Sequence, residues 1–208
     1  MGVIKNGILG GVAGKVAGVV GARWKNVQYL RGYAIPANPR SVAQTTQRSK
    51  FGFCVQFAKT ILIPIINGYW ELKSPNMSGY NSFMKANVAN FDSVDGITNL
   101  IRVTEGNLEQ ITASSVTARA TEVEINIAAS SGGDGLATDK VGIVVYNQAK
   151  NISYIDTDIS TRSGVNFTFT FPTQGIGTEL YVAIFGYRGT GKNLYMSTSE
   201  AYIVTTIV

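Results

Sequence analysis

The segment Gly186-Tyr187-Arg188-Gly189-Thr190-Gly191-Lys192-Asn193 fits the spacing G-x-x-x-x-G-K, in which loop amides and a lysine cradle nucleotide phosphates. That chemistry also requires a Ser or Thr for magnesium and a helix whose N-terminus faces the phosphates. Asn193 stands at the hydroxyl position, and the residues after it, LYMSTSEAYIV, read as a strand. A hairpin turn between the last two strands is the better reading.

Other catalytic chemistries lack their parts. Histidine is absent, which removes the commonest general base and a common transition-metal ligand. A serine nucleophile would then need a lysine or an N-terminal amine, and no such constellation stands out. Asp134 and Asp139 share a glycine-rich stretch and Asp156 and Asp158 lie two apart, without the ligand spacing of a dedicated calcium loop. Solvated loops are expected for them. Glu122 and Glu124 alternate with Val123, Ile125 and Ile127, so a solvent face explains them. The single cysteine, Cys54, supplies no disulfide framework and reads as a small hydrophobe. Neither enzyme activity nor a cofactor nor a metal is expected.

Binding chemistry is better represented. From Met1 to Trp70 there is no acidic residue, while nine cations give that stretch +9; the remainder holds nine basic and thirteen acidic residues and nets −4. Such an asymmetry points to an acidic partner: nucleic acid, a membrane surface or another copy's acidic face. The interaction candidates are Lys15, Arg23, Trp24, Lys25, Tyr29, Arg31, Arg40 and Arg48. Cations interleaved with aromatics suit phosphates and stacked bases. The favoured alternative is a β-ribbon whose aromatic side packs on a helix and whose cationic side faces water or a neighbouring subunit.

The elements that position these residues begin in a glycine-rich stretch. A signal peptide is not expected, because Lys15 interrupts the apolar run and no basic region leads into it. Glycines at four-residue spacing (Gly7, Gly11; Gly10, Gly14, Gly18) suggest a membrane helix, but Lys5, Lys15 and Arg23 leave no uncharged span long enough. The remaining reading is a β-meander, 12–16, 19–24 and 27–33, with turns at Ala17-Gly18 and Lys25-Asn26.

Asn38-Pro39-Arg40 then stops the chain, and Ser41 with Gln44 can form a capping box for a long helix running to Leu62. Phe51, Val55, Ala58 and Leu62 recur at helical spacing, and Phe53, Phe57 and Ile61 widen the stripe, so burial on most sides is expected. Pro64 should end or kink this helix. A second, about 79–89, carries Tyr80, Phe83, Met84 and Val88 on one face. From about residue 99 the period becomes two. Strands are expected at 107–113, 123–127, 141–146, 152–159, 167–171, 180–185 and 195–205, the number and spacing of an immunoglobulin- or fibronectin-like sandwich. The expected fold is therefore α+β: residues 1–98 as a ribbon and two-helix docking module, and 99–208 as an Ig-like antiparallel β-sandwich. Residues 105–208 alone are expected to form a soluble β-rich monomer.

Gly7-x-Leu9-Gly10-Gly11, Gly14-Lys15-Val16, Val19-Val20-Gly21, Trp24-Lys25 and Tyr29-x-Arg31 resemble the opening of an uncharacterised family of bacterial proteins of about this length. Tyr80-Asn81-x-Phe83-x-x-x-Asn87 resembles a later part of it. That family is a domain of unknown function, so the resemblance implies no catalytic residues. Asn38-Pro39-Arg40-Ser41-x-x-Gln44-x-x-x-Arg48-x-x-Phe51 is also similar to a stretch of phage structural proteins, with Ser41 where Thr is usual. The leading functional expectation is a phage or phage-like virion component: capsid decoration, tail or fibre attachment, working as a homo-oligomer or with other particle proteins. The second is a binding module at the bacterial cell surface; the third is a DNA-binding protein using the basic ribbon. The expected location is a virion or phage-like particle, otherwise the bacterial cytoplasm or cell surface.

Overall fold

The computed structural model describes residues 3–4, 11–24, 27–35, 37–38, 40–74, 76–127, 133–163 and 166–207. Among them it is an α+β protein with antiparallel sheets, and the chain divides into two compact units, Met1–Ser41 and Val42–Val208.

In the first unit, β1 (Val3–Ile4), β2 (Val12–Val16), β3 (Val19–Trp24) and β4 (Val27–Gly32) form one sheet in chain order. The expected meander is present, strand for strand. Ala17, with φ 48°, makes the tight β2–β3 turn, and the Tyr33 N–H donates to the Gly18 carbonyl at 2.8 Å, extending the β3–β4 pairing beyond Val19 and Gly32. Gly21 has to be a glycine, since a Cβ there would lie 2.1 Å from the Val12 carbonyl oxygen. The turn expected at Lys25-Asn26 and the glycines Gly7 and Gly10 lie outside the described residues.

The second unit starts with α1 (Val42–Thr60), directly after Ser41. The chain then bends by 96° into a π-helix, Leu62–Trp70, which runs on into α2 (Glu71–Lys73). Pro64 sits in the first turn of the π-helix, where its missing N–H is least costly. Both the Ile65 and Ile66 N–H groups donate to the Ile61 carbonyl, at 3.2 Å. After α3 (Gly79–Asn87), capped by Ser78 Oγ accepting from the Asn81 N–H at 3.3 Å, a 3₁₀ turn leads to a connection with no strand of its own.

The strands follow: β5 (Ala113–Ala118), β6 (Glu122–Ile127), β7 (Lys140–Asn147), β8 (Ile152–Thr161), β9 (Asn166–Thr170), β10 (Glu179–Arg188), β11 (Tyr195–Met196) and β12 (Glu200–Thr205). One sheet has the order β5-β6-β9. The other runs β8-β7-β10, with β11 and β12 pairing end to end along the far edge of β10.

The central sheet is buried on both faces. Val141, Ile143, Val145, Leu180, Val182 and Ile184 share one core with Val123, Ile125 and Ile127 of the smaller sheet. Their neighbours Val144, Tyr146, Tyr181, Ala183 and Phe185 share a second core with Phe57, Ile61, Ile65 and Phe83 of the helices. Both faces being covered explains the unbroken apolar runs of β7 and β10.

This arrangement corrects three expectations. The helices cover the central sheet and share one compact unit with it, so the position of the boundary expected near residue 98 falls inside that unit. Phe51, the first residue of the helically spaced stripe expected to be buried, is 52% exposed, while Cys54, Phe57, Ala58 and Ile61 are fully buried. The second half of α1 is apolar nearly all round, so its sequence admits two stripes, and contact with the sheet selects one. The strand expected at 107–113 is instead a segment laid along β11 and the residues after it: the Leu108 N–H donates to Met196 O at 2.8 Å, and Thr104 Oγ1 to Ser197 O at 3.0 Å. It screens an edge that would otherwise template pairing.

Candidate functional site

The ribbon register sorts the interaction candidates by face. Lys15 stands opposite Val20, Val20 opposite Arg31, and Ala22 opposite Tyr29. Side chains alternate along a strand, so Lys15, Arg31 and Tyr29 share one side. Lys15 Nζ lies 3.4 Å from the Tyr33 ring centroid, a cation–π contact on that side. Arg23 pairs with Gln28 and occupies the other side, near Leu30. Cationic and aromatic residues are therefore mixed on one exposed face, and the expected division into an aromatic and a cationic side is corrected. Trp24 pairs with Val27 in the ladder, its side chain outside the described set, as is Lys25 altogether. Arg40 is exposed at the end of this unit, whereas Arg48 is exposed on α1 in the other.

The ribbon has little core of its own. Gly21 is the one buried position among its described residues, and Val16, Val19, Val27, Leu30 and Ile35 are exposed. It belongs to a unit with six cations and no acidic residue, while the other unit holds twelve cations and thirteen acids.

In the second unit the polar chemistry concentrates at one end of the central sheet. Arg162 and Asp139, both almost wholly buried, approach to 3.4 Å, and Asp139 also lies 3.4 Å from Arg188 Nε. Arg162 Nη2 donates to the Glu109 carbonyl at 2.6 Å, and Arg188 Nη2 to the Asp134 carbonyl at 2.9 Å. Asp139 is not the solvated loop residue expected; it is buried and joins its own loop before β7 to Arg162 after β8 and to Arg188 at the end of β10. The sequence signal for this network is weak, because its members lie far apart along the chain. Asp158 is in β8 and pairs with Lys140, which raises the lysine's pKa through that hydrogen bond. Glu122 and Glu124 face solvent as expected, each near Arg119.

Beside the network lies a groove of about 690 Å³, lined by Tyr69, Lys73, Glu105, Leu108, Arg188 and Tyr195 among others. A second, of about 1130 Å³, lies between α1, the loop 92–98 and the β10–β12 end of the sheet. At its rim the Asp92 carboxylate is held below its ordinary pKa by the backbone N–H groups of Val94 and Asp95.

Gly186–Asn193 forms the end of β10 and a turn closed by Gly189, φ 83°, before the antiparallel β11. No eight-residue helix follows it among the described residues. Burial pushes the Cys54 thiol up to about 12, so it stays protonated at neutral pH, whereas nucleophilic and metal-binding cysteines act as thiolates. No group of three or more metal-ligating side chains occurs among the described residues, and no single helix among them is long and apolar enough to cross a membrane.

Fold and surface define an α+β protein with a separate glycine-rich basic ribbon. The chain belongs to a family of unknown function, DUF6266, whose profile matches residues 11–197. No curated protein matches it.

Proposed function

We propose that the protein is a non-enzymatic structural component that assembles through its N-terminal ribbon, as part of a phage or phage-like particle. The observation that carries this reading is the ribbon itself. It is a compact unit of its own with exposed valines, leucine and isoleucine, mixed cations and tyrosines on one face, and β4 at a sheet edge. Glycine-rich strands lose much backbone entropy on ordering and bury little in return, so a covering partner stabilises them. Sheet edges template pairing with another chain. The test is light scattering and negative-stain microscopy of the full-length protein. Concentration-dependent assembly supports the reading; a monomer at high concentration overturns it.

The two facing sheets act, in this reading, as an immunoglobulin- or fibronectin-like sandwich that presents an outward surface. Two antiparallel sheets, β5-β6-β9 and β8-β7-β10-β12, with one apolar core between them support this reading. The 690 Å³ groove favours a second reading, a binding module at the bacterial cell surface. Salt-dependent retention on duplex DNA, lost in Lys15→Glu with Arg31→Glu, would favour a nucleic-acid partner instead.

A further inference from the structure

The helical layer stops short of one end of the central sheet. Tyr181 is covered by Phe57, with ring centroids 5.6 Å apart, but its ladder partner on the same face, Ile203, is 41% exposed. The uncovered face is the floor of the 1130 Å³ groove, whose walls are Phe53 and Gln56 of α1, the loop 92–98 and Gly177–Glu179. Val94, on the rim, is 80% exposed.

Three carboxylates line this groove, Asp92, Asp95 and Glu179, and no cation does among the described lining residues. Lys50 lies close enough to Asp92 to lower its pKa further. Asp92 is engaged by backbone N–H groups, whereas Asp95 and Glu179 are exposed. The groove is thus an apolar floor with an acidic rim. One face of the ribbon is its complement: exposed Val27, exposed Tyr29 and Tyr33, Lys15 and Arg31, and no acid in its unit.

We infer that the groove at Phe53, Val94 and Ile203 receives the basic ribbon of a second copy of this chain. The inference rests on the assembly reading and gives that assembly a polarity. Ribbon and groove are different surfaces, so each copy offers one of each. Such head-to-tail contacts close into rings or propagate as filaments. Charge complementarity fixes the register and makes the contact sensitive to salt.

The experiment uses full-length chains in sedimentation velocity at low salt. One variant carries Lys15→Glu and Arg31→Glu; the other carries Asp95→Lys and Glu179→Lys. All four positions are exposed, so the fold should survive. Each variant alone should weaken self-association at least about tenfold. Mixed in equal amounts they should assemble with one another in alternation, because the first variant's groove still takes the second's ribbon and the second's basic groove takes the first's acidic ribbon. A chain with all four substitutions should assemble again. If the groove variant assembles like the wild type, or the mixture stays monomeric, the groove is not the seat of the ribbon, while the assembly reading stands. A wild type that is monomeric throughout overturns both.

Discussion

Phe57 on α1 meets Tyr146 on β7 edge to face, with ring centroids 4.8 Å apart and planes at 66°. The same ring lies 5.6 Å from Tyr181 and 6.2 Å from Phe83, so one side chain joins the long helix, the central sheet and α3. Phe57→Ala should cost about 3–5 kcal/mol, as truncation of a fully buried phenylalanine does. Phe51→Ala, six residues earlier and half exposed, should cost less than about 1 kcal/mol. Urea denaturation of the two variants checks the assignment; equal losses would contradict the observed face of α1.

The helices are the second cover of the central sheet. Residues 105–208 alone would expose Val144, Tyr146, Tyr181, Ala183 and Phe185 as one apolar face. Contiguous patches of that kind drive aggregation. The fragment should therefore be insoluble or bind hydrophobic dyes, whereas residues 42–208, the whole compact unit, should fold and unfold cooperatively. Circular dichroism and dye binding distinguish them. A well-folded, monomeric 105–208 fragment would show that the helical layer is dispensable.

Much of the fold was readable because it rests on local periodicity. The ribbon strands, the start of α1 at Val42 and the alternation in β6 and β9 follow from spacing and turn residues alone. What escaped was long-range. Tyr181 and Ala183 alternate with Leu180 and Val182 as apolar on apolar, a pattern that says both faces are buried but not by what. Asn87 illustrates the same limit. Its side chain donates to the Phe83 and Arg102 carbonyls at 3.1 and 3.0 Å and accepts from the Arg102 N–H at 2.7 Å, tying α3 to the chain fifteen residues on. For the candidate site, the cations and aromatics were visible, but their sharing of one face depends on the β3–β4 register. Asp139 and Arg162 carried no local signal at all.

Asp139 and Arg162 allow a test of the buried network. Removing one partner of a buried ion pair leaves a charge without compensation and costs about 3–5 kcal/mol. Asp139→Ala should be clearly destabilising, because it takes a carboxylate from both Arg162 and Arg188, leaving Arg162 only Glu109 at 3.6 Å and Arg188 partly in water. Asp139→Ala combined with Arg162→Met should cost clearly less than the two separate losses together, since the double variant leaves neither charge buried. A double-mutant cycle by urea denaturation measures this coupling. Simple additivity would show that the two side chains do not support one another.

The last prediction concerns alkaline pH. Burial pushes the Cys54 thiol from 9.0 to about 12 and the Tyr146 hydroxyl from 10.0 to about 12. Tyr202 is also raised to about 12, first by burial and then by Glu200, against a lowering contribution from the Ala113 backbone. In each case the folded protein holds the proton more tightly than the unfolded chain. Below the unfolded values both states are protonated, and these groups give stability no pH dependence. Between about pH 9 and 12 the unfolded chain loses protons that the folded state retains, so the unfolded state binds fewer and stability falls as pH rises. Thermal melts should give a level midpoint from neutrality to about pH 9 and a steep decline above it. Tyr146→Phe keeps the ring beside Phe57 but cannot ionise, so its decline should be shallower than that of the wild type. An identical slope would mean that Tyr146 ionises as freely in the folded protein as in the unfolded chain.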